Sequence, residues 1–155
     1  MTILGVGVDV LQLSRITSLM SRRTPERMAL RILNSHELRL WSALPPDGAQ
    51  RMRYIAVRWA IKEAAYKAIY HVVKPTWKEL SYRTIEGQGS KPFLIYEPLD
   101  ITEAVKLGQL HASVSHDGDY VFATVIAEAR EDALSYVSRY LNLRPLHERA
   151  RLTLS

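Results

Sequence analysis

The chain has 155 residues, 47% hydrophobic and 24% charged, enough for one domain with a real core. It contains no cysteine, which excludes a disulfide scaffold, a thiolate nucleophile and a zinc–cysteine site. The formal net charge of +5 favours acidic partners (nucleic acid, phosphorylated ligands or an acidic protein), and no apolar run reaches the length of a membrane span.

The start, MTILGVGVDV, resembles neither a signal peptide nor an Arg-rich transit peptide and reads as a first strand, Ile3 to Val10. Val6, Val8 and Val10 face one way, and Gly5, Gly7 and Asp9 the other. The two glycines leave room for another backbone or a ligand. An aspartate is disfavoured in such a run, so Asp9 needs a reason. A metal- or phosphate-linked role is one; ending the strand and capping the next helix is another. Leu13 to Met20 is predicted helical, with Leu13, Ile16, Leu19 and Met20 inward and Arg15 projecting from its first turn. Arg22, Arg23 and Arg27 follow, then helical pieces Met28–Leu33 and Ser35–Leu44, with Ser35 as a cap and Glu37 in the first turn. The arginines of this region are either solvated surface or a dock for an acidic partner.

After the Pro45-Pro46-Asp47-Gly48 turn, a long helix is predicted from Ala49 to Val73, ended by Pro75. On a helical wheel Val57, Ala60, Ile61, Ala64, Ala68 and Val72 share one side. Arg58, Lys62, Glu63 and Lys67 fall on the other, with Trp59, Tyr66 and Tyr70 between them. One carboxylate among three cations suits a magnesium ion and an anionic ligand. The plain alternative is a solvated face with a Glu63–Lys67 pair. Leu80–Ile85 and Phe93–Tyr96 read as strands around a Glu86–Ser90 loop, and Thr102–Leu107 as a short helix capped by Asp100 or Thr102. In HASVSHDGDYVFATVIAE, Asp117-Gly118 signals a hairpin and places His116 at a strand end, where a lone histidine is either surface or site. A further helix is expected to about Leu141, then a basic tail with Arg144, Arg149 and Arg151. The order gives an α+β fold, with the long helix packed on an antiparallel sheet.

Three separated stretches, GVGVDVLQLSRI, RWAIKEAAYKAI and HASVSHDGDYVFATVIAE, in this order and spacing resemble the holo-acyl-carrier-protein synthase type of phosphopantetheinyl transferase. RILNSHEL and LSYRTIEGQGSKPFLIY between them fit the same pattern, so the resemblance spans about residues 3 to 128. It implies a phosphopantetheinyl transferase domain at 1–130, followed by a C-terminal helix and basic tail at 131–155. It also implies transfer of the phosphopantetheine arm of coenzyme A to a serine of an apo carrier protein. The attacking hydroxyl then belongs to the partner, so the chain need supply no nucleophile.

By the same resemblance Asp9 and Glu63 hold magnesium, Lys67 and Arg58 reach coenzyme A phosphate, His116 lies at the coenzyme A site, and Arg15 docks the acidic carrier protein. Glu63, a metal-bound water or Asp9 could each take the serine proton. The family implies a homotrimer with the cofactor between subunits, so that Asp9 and Glu63 face His116 or Arg15 of another copy. Cytoplasm or mitochondrial matrix is the expected location. The sequence departs from the family where a glycine-rich turn normally follows the helix lysine: IYHVVKPTW has none. Gln12 stands where an acid is usual. Two other readings are a magnesium-dependent phosphate-ester hydrolase using the same acids with water, and a basic nucleic-acid-binding module supported by the +5 charge and the arginine-rich second segment. The second leaves Asp9 and Glu63 without a role, so no nucleic-acid partner is expected, and with no apolar run of spanning length no membrane partner is expected either.

Overall fold

The first strand, β1 (Ile3–Gln12), runs two residues past the expected end, and the short helix α1 (Leu13–Arg22) follows it directly. This computed structural model describes residues 2–22, 24–46, 49–84 and 91–130. The remaining elements are α2 (Pro25–Ile32), α3 (Ser35–Ser42), α4 (Ala49–Ile69), β2 (Leu80–Arg83), β3 (Phe93–Tyr96), α5 (Ile101–Ala104), β4 (Leu110–Asp117) and β5 (Tyr120–Glu128). The strands form one antiparallel sheet in the order β1-β5-β4-β3-β2, with α4 packed on one face. The expected α+β plan is therefore the observed one. The tail expected beyond residue 130 and the 86–90 loop lie outside the described residues, as does Ile85.

The sheet and α4 approach closely because both surfaces are small. Ala60, Ala64 and Ala68 recur every four residues along α4 and are fully buried. Gly5 and Gly7 of β1 face that stripe: a Cβ on Gly5 would lie 2.1 Å from the Ala68 carbonyl oxygen. Of the two readings for the glycine face, close approach of another backbone is what the fold uses. Val121, Ala123, Val125 and Ala127 of β5 continue this buried layer. The hairpin between β4 and β5 turns at Gly118 (φ +51°) and Asp119, with glycine in the left-handed first position of a two-residue loop.

The boundaries differ from expectation where a side chain outcompetes a simple signal. Asn34, not Ser35, caps α3: its side chain accepts from Glu37 N, and the Glu37 carboxylate returns a bond to Asn34 N, a complete capping box. The long helix stops at Ile69, before Pro75 could end it, and a turn follows. Among the described residues, no helix is long and apolar enough to cross a membrane.

Candidate active site

Asp9 sits in the middle of β1, on the glycine side of the strand, and so faces α4. It does not cap α1; the first amide of that helix, Leu13 N, donates to Asp119 O at 2.7 Å. The Asp9 carboxylate instead accepts from Lys67 Nζ at 2.9 Å, and the same ammonium donates to Val8 O at 2.8 Å. Lys67 is half exposed (49%) and Asp9 mostly covered (16%), so the cation projects from the site while the carboxylate lines it.

Glu63, one helical turn before Lys67, completes the cluster. Burial pushes its carboxyl above the ordinary glutamate value and the nearby Asp9 charge adds to this; Lys67 and Arg15 act the other way. Four residues that the sequence singles out, Asp9, Arg15, Glu63 and Lys67, therefore share one electrostatic neighbourhood within a single chain. Among the described residues the Glu63 carboxylate makes no hydrogen bond or ion pair, unlike the alternative of a mere Glu63–Lys67 pair. Two carboxylates close enough to act on each other, one lacking a donor, are a poor arrangement for each other and a good one for a hard divalent cation. No third His, Asp or Glu joins them among the described residues, so such a cation would keep open positions for water and phosphate oxygen. A groove of about 210 Å³ opens beside Glu63, lined also by Lys62, Tyr66, the Pro75–Thr76–Trp77 segment and Leu80.

Arg58 and His116 lie elsewhere in the single chain. Arg58 is five residues before Glu63 and so about 140° around the helix from it. Its guanidinium lies 3.4 Å from the centroid of the Tyr54 ring and 5.7 Å from that of Tyr82. Burial lowers its pKa, opposed by Tyr54, Glu37 and Tyr82, and its Nε is buried without a hydrogen-bond partner among the described residues. His116 is exposed at the end of β4, opposite Val121. Asp9 pairs with Ala123, which pairs with Val114 of β4, so His116 is two strands over from Asp9 and two residues further along. Neither Arg58 nor His116 is among the charges acting on Glu63.

Lys62 departs most from the wheel. It is expected on the charged outer face, yet it is fully buried and paired with buried Glu37 at 2.5 Å. Sequence reading misses Glu37 as its partner, although the Asn34-x-x-Glu37 spacing of a capping box marks that residue as more than surface.

Residues 5–125 match the 4'-phosphopantetheinyl transferase superfamily. The chain belongs to that superfamily. It is 33% identical over 135 residues to the holo-[acyl-carrier-protein] synthase of Salmonella arizonae, covering 86% of this chain and 99% of the relative. The crystal structure of the holo-[acyl-carrier-protein] synthase from Neisseria meningitidis aligns with a TM-score of 0.66 at 28% identity, over 82% of this chain and 99% of that one. A holo-(acyl-carrier-protein) synthase from Bacillus anthracis, solved in complex with CoA (3',5'-ADP), shares the fold at a TM-score of 0.64 and 24% identity, over 84% of this chain and all of that one. The Asp9–Glu63–Lys67 cluster and the groove beside it lie within the matched segment of this phosphopantetheinyl transferase.

Proposed function

We propose that this transferase is a holo-[acyl-carrier-protein] synthase, moving the phosphopantetheine arm of coenzyme A to a serine of an apo acyl-carrier protein. The observation that carries the reading is the meeting of Asp9 and Glu63, from the first strand and the long helix, beside a half-exposed lysine. The serine oxygen of the carrier forms the new bond to phosphorus, and the bond to adenosine 3',5'-bisphosphate breaks. Asp9 and Glu63 would hold magnesium, which when bound offsets charge on the pyrophosphate. Lys67 supplies a fixed positive charge to the same phosphates, and β1 and α4 keep these groups in place before substrate arrives. Arg15, exposed on the first turn of α1 and close enough to act on Glu63, is where an acidic carrier would dock with its serine next to the metal.

We also infer a homotrimer with sites shared between subunits. The outer face of the sheet supports it. Val6, Val8 and Val10 of β1 are 56%, 41% and 57% exposed, and Phe122 and Tyr120 of β5 stand beside them. A contiguous apolar strand face of this kind is suited to a subunit contact. Sharing would also give exposed His116 a place at a neighbouring subunit's Asp9 and Glu63. The Salmonella and Neisseria relatives are bacterial and favour a cytoplasmic role; nothing in them favours the mitochondrial matrix.

The test is mass spectrometry of an apo carrier protein incubated with the chain, coenzyme A and magnesium. A mass gain equal to the phosphopantetheine arm is expected. Cleavage of coenzyme A without that gain would mean water is the acceptor and would replace this reading with hydrolysis.

A further inference from the structure

The two lysines of the K-E-x-x-x-K stretch have opposite surroundings. Lys67 is half exposed at Asp9, whereas Lys62 is among the most deeply buried side chains. An ammonium has three donors, and each of those on Lys62 has an acceptor: Ile32 O at 2.8 Å, Glu37 Oε2 at 2.5 Å and Trp77 O at 2.9 Å. Glu37 is equally satisfied. Its Oε2 also accepts from Asn34 N at 3.1 Å, and its Oε1 from Tyr82 N at 3.0 Å. One buried pair therefore ties together the end of α2, the start of α3, the strand β2 and the segment that follows α4.

Stability alone is a weak reason for such a pair, because apolar residues of similar volume often do as well or better. Its location offers another reason. Lys62 is the residue before Glu63 and borders the groove with it, and its third acceptor, Trp77 O, belongs to a residue that lines the same groove. The rest of that wall is held too: Glu79 accepts from Thr76 N at 2.7 Å and Thr76 Oγ1 at 2.9 Å, and Trp77 meets the edge of Trp59 at 5.5 Å. This is the stretch without glycine, IYHVVKPTW, so side-chain anchoring does the shaping here.

We propose that Lys62 and Glu37 are positioning residues that hold the Pro75–Trp77 wall at a set distance from Glu63 and so fix the width of the groove in which coenzyme A lies. The proposal rests on the transferase reading and on Glu63 as its metal ligand. Glu37 lies outside the groove lining, and Lys62, which borders the groove, has all three ammonium donors committed to protein acceptors; both act through Trp77 and through the seating of α4.

The test uses the full chain with two altered forms, in steady-state transfer assays with coenzyme A, magnesium and apo carrier protein. Glu37→Gln with Lys62→Met removes both charges together, so that neither is left unpaired. Trp77→Ala loosens the wall while leaving the buried pair intact. Both are expected to keep the parent's far-ultraviolet circular dichroism. Both should lower kcat/KM for coenzyme A by about 10- to 100-fold, the range for groups that support a metal site, and leave KM for the carrier unchanged. A folded double variant with coenzyme A kinetics within about twofold of the parent, at ordinary magnesium, would overturn the proposal. So would an equal change in carrier KM, or a double variant that unfolds while Trp77→Ala keeps parental kinetics. Glu63→Gln, run alongside, separates the two layers: if it retains transfer, the metal assignment fails whatever the pair does.

Discussion

Gly7 and Ala64 meet backbone to backbone: a Cβ on Gly7 would lie 1.9 Å from the Ala64 carbonyl oxygen and 2.7 Å from Ala68 N. Nothing at that contact is a flexible side chain, so a methyl group could be admitted only by moving the strand or the helix. Asp9 is two residues along the same strand face, and Glu63 is the neighbour of Ala64 on α4. Gly7→Ala should therefore widen the gap between the two carboxylates as well as overpack the core. We expect a loss of about 1–3 kcal/mol or more in stability, seen as a lower melting temperature. Activity assayed well below that temperature should fall further than the unfolded fraction accounts for. A variant that keeps full activity per folded molecule would show that the spacing of β1 and α4 is not what sets the site.

Asp9→Ala and Glu63→Ala should each fold and lose transfer by at least about 100-fold, since each removes half of the proposed metal-binding pair. Excess magnesium should recover part of the loss. Lys67→Ala should act differently, raising KM for coenzyme A by about tenfold, because a point charge to phosphate is lost and the carboxylates remain. Steady-state kinetics against magnesium and coenzyme A separate the two patterns. Near-normal transfer by either carboxylate variant at ordinary magnesium would remove Asp9 and Glu63 from the metal site.

The chemistry-bearing residues were more legible in the sequence than the way they are held. Alternation in GVGVDV placed Asp9 and the glycines on one strand face, and the alanine period of α4 placed Ala60, Ala64 and Ala68 on the face that meets them. Both patterns depend only on local geometry. A wheel puts Lys62 on the outer face because it sorts residues by polarity, and polarity cannot foresee that three acceptors from distant segments will enclose an ammonium. Asn34 and Ser35 both cap well, so the sequence cannot separate them, and only the return bond from Glu37 selects Asn34. The apolar outer face of β1 carries no sign in the sequence that it stays uncovered, since a valine alternation reads the same whether a helix or a second chain packs on it.

Glu63 should contribute to stability in the opposite sense to an ordinary carboxylate. Its carboxyl is raised above the ordinary value of 4.5 by burial and by Asp9, so the folded chain holds the proton more tightly than the unfolded one. That preference contributes stability in acid and is lost as pH rises through the raised value. In chelator, Glu63→Gln should melt higher than the parent at neutral pH, with the difference closing as pH falls below the ordinary carboxylate range. At a magnesium concentration that saturates the parent, magnesium should raise the melting temperature of the parent more than that of the variant. A Glu63→Gln variant that melts lower than the parent at neutral pH would mean Glu63 contributes net attraction to Lys67 and Arg15 instead.

Arg15 is exposed, yet it is one of the groups that lowers the Glu63 pKa. Reversing it to Glu should raise KM for the acidic carrier by about tenfold at low salt, with the effect shrinking as salt screens the encounter. Because Arg15 also acts on Glu63, the magnesium requirement should shift as well, while KM for coenzyme A at saturating magnesium stays the same. Titrating carrier, magnesium and coenzyme A separately distinguishes these effects. An unchanged carrier KM at low salt would end the docking role.

Complementation between inactive chains tests whether the site is shared. Asp9→Ala chains lack half of the carboxylate pair, and His116→Ala chains lack the exposed residue two strands over from it. If each site joins Asp9 and Glu63 of one subunit to His116 of the next, chains mixed before assembly form some junctions with both residues intact. In a closed ring assembled at random from equal amounts, about one quarter of the junctions are intact, so about one quarter of parental activity should return. Val8→Glu, which buries a charge in the exposed valine face, should lower the mass measured by light scattering and abolish complementation with the other two. If co-assembled Asp9→Ala and His116→Ala chains stay inactive while the mass remains that of a trimer, each subunit carries its own complete site.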